Sequence, residues 1–256
     1  MKIAVLIKQV PDTETKIRIK ADGSGIETDG IKYIISPYDE FAVEEAIRTK
    51  EKNAGSEVTV ISLGPDRCVE SIRTALAMGC DKAVHVQDGG QDFDSFQTAT
   101  LLSQIIKNQG FEVVFTGKQA LDKDSGQVTQ MIAELLNWPQ VTVVEKIEWQ
   151  GNVAKVTRRV AGGAKEVYEV QLPALLAAET GLNTPRYASL PGIMKAKSKP
   201  VEKLNAADLL AGATAKVTLS NYRLPPEKAP GRILQGELDK TIPELVKLLR
   251  EEAKII

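Results

Sequence analysis

The chain has 256 residues, 43% of them hydrophobic and 26% charged, with a formal net charge of −1. That length supports a sizeable core in one large domain or a domain with an appendage, and a charge near zero exerts no global pull toward nucleic acid or an anionic membrane. Two cysteines without CxxC spacing and a single histidine argue against a disulfide framework, a zinc site and histidine-based triad or metal chemistry, and point to a reducing compartment.

No apolar run approaches the ~20 residues needed to cross a bilayer, so no direct membrane insertion is expected. Residues 3–7 form an apolar run too short for a signal peptide, with no small-residue cleavage site after it, and read as a buried first strand. Residues 16–20 alternate with period two, and Ala21-Asp22-Gly23-Ser24-Gly25 supplies turn chemistry, which predicts a surface hairpin. Tyr33-Ile34-Ile35 is a short apolar run ending at Ser36-Pro37. A helix follows, with Asp39 as its expected N-cap, through Phe41, Ala42, Ala46 and Ile47 to Asn53-Ala54-Gly55.

Strands at 58–61, 83–86 and 113–116 then alternate with helices at 69–78, 96–106 and 125–136, and Gly79 and Gly110 close the first two helices. Such alternation predicts an α/β fold: a mostly parallel sheet with helices on both faces. A further strand at 141–144 leads into alternating stretches at 146–150, 153–159 and 166–171, an antiparallel meander with turns at Gln150-Gly151-Asn152 and Gly162-Gly163. Residues 181–200, rich in Pro, Gly and Lys, read as an exposed loop. Beyond them come a helix near 206–211, a Pro-rich extended piece at 224–230 and an amphipathic helix at 242–254. The extended piece reads as an arm laid on another chain. The expected division is an α/β domain at 1–200 and a C-terminal arm and helix at 201–256.

In an open α/β sheet, ligands bind beyond the carboxyl ends of the strands near the switch in strand order. Four loops fall there: Lys8-Gln9, Ser36 to Asp39, Leu63-Gly64-Pro65, and Gly117-Lys118-Gln119-Ala120-Leu121-Asp122-Lys123-Asp124-Ser125-Gly126-Gln127. The last offers small residues and a Ser-Gly pair at an expected helix start, where free amides suit a phosphate. It is neither a P-loop nor a GxGxxG fingerprint. Taken alone, it fits a nucleotide phosphate or an ordinary polar connection.

No catalytic constellation and no metal site is evident. Cys68 and Cys80 read as packing residues and His85 as a structural residue of a strand. Glu44, Glu45 and Glu51 with Arg48, Lys50 and Lys52 read as a solvated helix face. In Leu190-Pro191-Gly192-Ile193-Met194-Lys195-Ala196-Lys197 apolar residues stand among lysines, which fits a protein-docking site or a loop tucked back into the core.

Several motifs resemble the electron transfer flavoprotein beta subunit: Val10-Pro11-Asp12-Thr13, Ser36-Pro37-Tyr38-Asp39-Glu40, Arg73-Thr74-Ala75-Leu76-Ala77-Met78-Gly79, Gly117-Lys118-Gln119-Ala120, and the stretch from Leu182 through Pro185-Arg186-Tyr187-Ala188 to Lys197. They cover nearly the whole chain in the family's order. The resemblance implies a heterodimer with an alpha subunit that holds most of one shared FAD. This chain would bind a structural AMP, which makes 1–200 an adenine-nucleotide-binding, Rossmann-like domain. The implied AMP contacts are Leu6, Ser36, Pro37, Tyr38, Asp39, Leu63 and Gly117 through Val128. Tyr38 and Thr13 match positions that approach the flavin, although an aromatic residue often stands where Thr13 does.

The implied recognition loop runs from Arg186 through Tyr187, Ala188, Ser189, Leu190, Pro191, Gly192, Ile193 and Met194 to Lys195. Leu190 is its anchor for a hydrophobic pocket on a dehydrogenase. The implied role is an electron carrier rather than an enzyme. It takes electrons from acyl-CoA or related dehydrogenases of fatty acid oxidation and passes them to a quinone oxidoreductase, while the C-terminal arm clasps the alpha subunit. A second branch of the family bifurcates electrons and carries a second FAD in place of AMP. Lys123, Gly126 and Gln130-Met131 depart from that branch's phosphate loop, which favours AMP. A third reading is a stand-alone adenine-nucleotide-binding module. No Arg-rich presequence is present, so the expected location is a prokaryotic cytoplasm.

Overall fold

A computed structural model describes residues 1–228 and 230–256. Two compact units make up the chain: residues 1–17 with 27–220, and residues 18–26 with 221–256.

The first unit opens with β1 (Lys2–Leu6), a short ribbon of β2 (Gln9–Pro11) against β3 (Tyr33–Ile35), and α1 (Pro37–Lys52). There follow β4 (Glu57–Gly64), α2 (Cys68–Met78), β5 (Lys82–Gln87), α3 (Ser95–Gln109), β6 (Val113–Gly117) and α4 (Val128–Leu136). The meander is β7 (Gln140–Gln150), β8 (Val153–Arg159) and β9 (Lys165–Gln171). After it come β10 (Ala174–Ala178), α5 (Leu190–Ser198), β11 (Glu202–Asn205) and the single turn α6 (Ala206–Leu209).

Among the described residues one nine-stranded sheet runs in the order β11-β5-β4-β1-β6-β10-β7-β8-β9. It is parallel from β11 to β7 and antiparallel from β7 to β9. The α/β expectation is thus met, and the alternation of side chains across the pleat explains the layers. Ile3 and Val5 join the core under α1 and α2, while Ala4 and Leu6 join the core under α3 and α4. Each face is covered because the crossovers deposit helices on both sides.

Four local expectations are corrected. The strand at 174–178, five fully buried residues, passed unread; it is inserted between β6 and β7. The hairpin at 16–26 shrinks to one bridge, Ile19 to Ile26, because no third strand covers its apolar face. Helix α1 starts at Pro37, whose fixed φ suits a first helical turn, with Ser36 rather than Asp39 at the cap. Residues 190–198 are helical rather than loop, for reasons given below.

The second unit carries α7 (Leu238–Glu251), whose Leu238, Ile242, Leu245 and Val246 recur at helical spacing and are all exposed. Tyr222 N–H donates to Gly23 O at 3.0 Å within this unit. The expected extended piece at 224–230 has no helix or strand at its described positions, and its residue 229 lies outside the described residues. No described helix is long and apolar enough to cross a membrane.

Candidate functional site

The strand order reverses beside β1: β4 and β5 extend one way and β6 the other. The loops after β1 and β6 lie side by side at that switch, where the strand-end argument looks for a ligand. One side chain ties them. Asp39, buried in the first turn of α1, accepts the Lys8 amide at 2.7 Å and the Gly117 amide at 2.9 Å. Burial pushes its carboxyl up to about 7, against the pull of those two donors. Gly117 is obligatory here: a Cβ would stand 2.4 Å from Asp39 Oδ1 and 2.7 Å from Tyr38 Cβ.

Residues 118–127 lead from β6 to α4 and meet the loop after β1. Lys8 Nζ pairs with Asp122 at 2.6 Å, Lys123 Nζ with Asp92 at 2.9 Å, and Gln119 with Asp124. Asp124 and Gly126 take φ of 50° and 56°, a left-handed conformation that cannot continue a right-handed helix. For that reason α4 starts at Val128, and Ser125-Gly126 sit in the loop rather than at the helix start. No side chain caps α4, so its first amides and positive dipole end stay available at the loop. Thr116 and Thr129 hydroxyls, 2.7 Å apart, bind that first turn to β6.

Leu6 is buried at the end of β1, and Leu63 lies within β4 rather than in a loop after it. Ser36 is fully buried and its hydroxyl has no partner. Tyr38 carries Lys118 Nζ 4.6 Å from its ring centroid, and that ammonium is held by Glu179 at 2.7 Å. Glu179 also accepts from Thr180 N–H at 2.8 Å and lies 3.4 Å from an Arg159 nitrogen. The sequence reading missed Glu179 because it follows the unread β10. Thr13 is exposed in the turn beyond β2, and its hydroxyl is 3.5 Å from Asp12.

The segment from Asn183 to Lys199 is a second centre. Ser189 caps α5, accepting the Gly192 amide at 3.1 Å, Pro191 sits in the first turn, and Lys195 and Lys197 lie in the last. These are ordinary helix signals that the Pro-Gly pair disguised. The inner face seats on α2: Ala196 is buried, and a Cβ on Gly192 would stand 2.5 Å from Ala77 O. The outer face is bare, with Leu190 73%, Ile193 41% and Met194 61% exposed and Tyr187 before it 99% exposed. The apolar residues are therefore not tucked into the core.

Glu44 and Glu45 are buried beneath the approach to α5, while Arg48, Glu51 and Lys52 keep the expected exposure. Arg186 Nε donates to Glu44 at 2.8 Å and its Nη1 to Glu51 at 2.7 Å, while the Asn183 amide donates to Glu45 and to Phe41 O, both at 3.0 Å. Arg186 holds the Glu51 carboxyl below the usual carboxylate range, and burial raises that of Glu45.

The remaining reactive residue types are inert. Burial pushes the Cys68 and Cys80 thiols up to about 11 and about 12. His85 is fully buried, its Nε2 2.9 Å from Gly64 O. Among the described residues no cluster of three metal-ligating side chains occurs.

Comparison with known proteins gives one answer. The family model described as the electron transfer flavoprotein domain matches residues 24–209. Among curated proteins, the electron transfer flavoprotein subunit beta of Bacillus subtilis (strain 168) is 43% identical over 261 residues, covering all of both chains. The subunit beta of Mus musculus is 41% identical over 258 residues, covering all of this chain and 99% of the mouse protein. The mitochondrial subunit beta of Arabidopsis thaliana is 40% identical over 258 residues, covering all of both chains.

Proposed function

This chain belongs to the electron transfer flavoprotein family, with the beta subunits, and we propose that it is the docking and nucleotide-holding half of a heterodimeric electron carrier. In this reading it pairs with an alpha subunit, receives a dehydrogenase such as an acyl-CoA dehydrogenase, and serves transfer to a quinone oxidoreductase. The chain does no bond-making chemistry itself. FAD, when bound between the subunits, supplies the electron-accepting and electron-donating centre.

The observation that carries the reading is the bare apolar row of Leu190, Ile193 and Met194 on a helix whose other face is fixed. An exposed aliphatic anchor on a rigid base is what a partner pocket takes up, and rim lysines at 195 and 197 add orientation. Leu190→Ala in the heterodimer is expected to raise KM for an acyl-CoA dehydrogenase about tenfold or more, the loss of ~1.5–3 kcal/mol of side-chain burial. Flavin content stays at the wild-type value. A KM unchanged by this substitution sinks the docking role.

A structural AMP is assigned to the strand-end crevice. Its support is the uncapped start of α4, the partnerless hydroxyl of buried Ser36 and the close backbone approach at Gly117. The amides before and within the first turn of α4 would hold the phosphate. Tyr38 and Lys118 would border the flavin side of the crevice. Denaturing the purified heterodimer and counting released nucleotides tests this: one FAD and one AMP support it, whereas two FAD and no AMP would make this a bifurcating subunit. The exposed apolar row of α7 and the irregular chain before it, with Leu224 and Ile233 uncovered, support an arm that clasps the alpha subunit.

A further inference from the structure

The stretch from 182 to 189 has no helix or strand, yet it is not free. Its backbone is tied to α1 by one side-chain fork. Glu44 accepts the Arg186 amide at 3.1 Å, its Nε at 2.8 Å and its Nη2 at 3.1 Å. Glu51 accepts Nη1 at 2.7 Å and Nη2 at 3.0 Å. The guanidinium is thus gripped in two bidentate pairs, the geometry that gives an ion pair directional strength. Only three residues separate this clamp from Leu190. At the far end of α5, Arg73 Nη1 donates to the carbonyls of Ala196, at 2.5 Å, and Lys199.

We propose that Glu44 and Glu51 on α1 are positioning residues for the dehydrogenase-docking helix: through Arg186 they fix the path of the chain that delivers Leu190 before a partner arrives. The proposal rests on the docking role of Leu190. The physical reason is preorganisation. A segment ordered only on contact lowers the fraction of molecules competent to bind, and the apparent affinity falls by that fraction. Glu44, buried, cannot be exchanged for solvent contacts, whereas Glu51 is half exposed and carries the outer half of the grip.

The test is steady-state reduction of the heterodimer by an acyl-CoA dehydrogenase supplied with its acyl-CoA, following KM for the heterodimer, kcat and bound FAD. Expected are a KM raised about tenfold in Glu44→Gln and about threefold in Glu51→Gln, with kcat and FAD content unchanged. Leu190→Ala is the reference. If it raises KM while both glutamine variants stay within about twofold of wild type, the clamp is overturned and docking stands. If kcat and FAD content fall in step with KM, the two carboxylates serve the fold at large and the proposal is overturned. If Leu190→Ala leaves KM unchanged, the docking role fails and takes this proposal with it. Should Glu44→Gln give no folded heterodimer, Glu51→Gln decides alone, by a rise or by its absence.

Discussion

The loop at 118–127 and the segment at 182–198 both carry glycine and both read as loops in the sequence, and they are built on opposite plans. The first stays irregular because two left-handed residues bar a helix, and its outer side is held by exposed ion pairs. Its inner side is fixed by one buried carboxylate and one glycine. The second condenses into a capped helix seated on α2 and clamped to α1. One region is shaped to leave backbone donors open, and the other to leave side chains open. The difference teaches that unpaired amides and bare apolar side chains require different supports: strained backbone in one case, a rigid helix in the other.

The sharpest way to break this contrast is a methyl at each close approach. Gly117→Ala is expected to cost about 1–3 kcal/mol or more, since its Cβ meets the Asp39 carboxylate and the Tyr38 backbone, and to empty the proposed nucleotide site. Denaturation midpoints and released nucleotide measure both effects. Gly192→Ala meets Ala77 O at 2.5 Å, so it is expected to lift α5 and weaken docking while nucleotide occupancy holds.

Next in size is Asp39→Asn. An amide offers one acceptor where two backbone donors converge, so a loss of about 1–3 kcal/mol is expected below neutral pH, narrowing as pH rises. The pH dependence carries its own sign. The folded carboxyl stands at about 7, above its ordinary value of 3.8, so the folded state binds the proton more tightly. Its contribution to stability is full below pH 3.8 and is lost as pH rises through about 7. In Asp39→Asn that slope vanishes, and denaturant titrations at several pH values read it directly.

Ser189→Ala removes the α5 cap and is expected to cost about 1 kcal/mol, appearing as faster amide exchange at 190–194 with the sheet unchanged. The smallest effect belongs to Asp122→Asn. Its pair with Lys8 is partly exposed, so stability should fall by under ~1 kcal/mol, and less in high salt. A larger loss would mean the loop's outer side matters as much as Asp39.

The alternating core from β1 to α4 was legible because period and punctuation agree: apolar runs of strand length, helical spacing, then Gly79 and Gly110. The strand-end rule singled out the loop at 117–127 and the apolar residues among lysines singled out 190–197, and the family motifs gave both a role. Three things were hidden for physical reasons. Strand β10 offers five apolar residues after a proline with no alternation, which local pattern cannot assign to a sheet. Helix α5 begins with Leu-Pro-Gly, where proline and glycine mimic a loop although Ser189 is a proper cap. Glu44 and Glu45 are met by Arg186 and Asn183, more than a hundred residues away, and long-range pairing leaves no mark on a helical charge pattern.

The placement of β10 has a consequence for how the molecule assembles. Strand β7 pairs with β10 and not with β6, so the antiparallel meander has no seat in the sheet until residues 174–178 have arrived between them. Until then the edge of β6 is an open row of buried-type side chains and unpaired amides. During synthesis the first two-thirds of the chain therefore emerges with its central strand unprotected, and closure of the sheet is a late, long-range event. A chaperone or a prompt supply of the remaining chain has most to protect in that interval, and truncation before residue 178 is expected to yield an aggregating product rather than a smaller working domain.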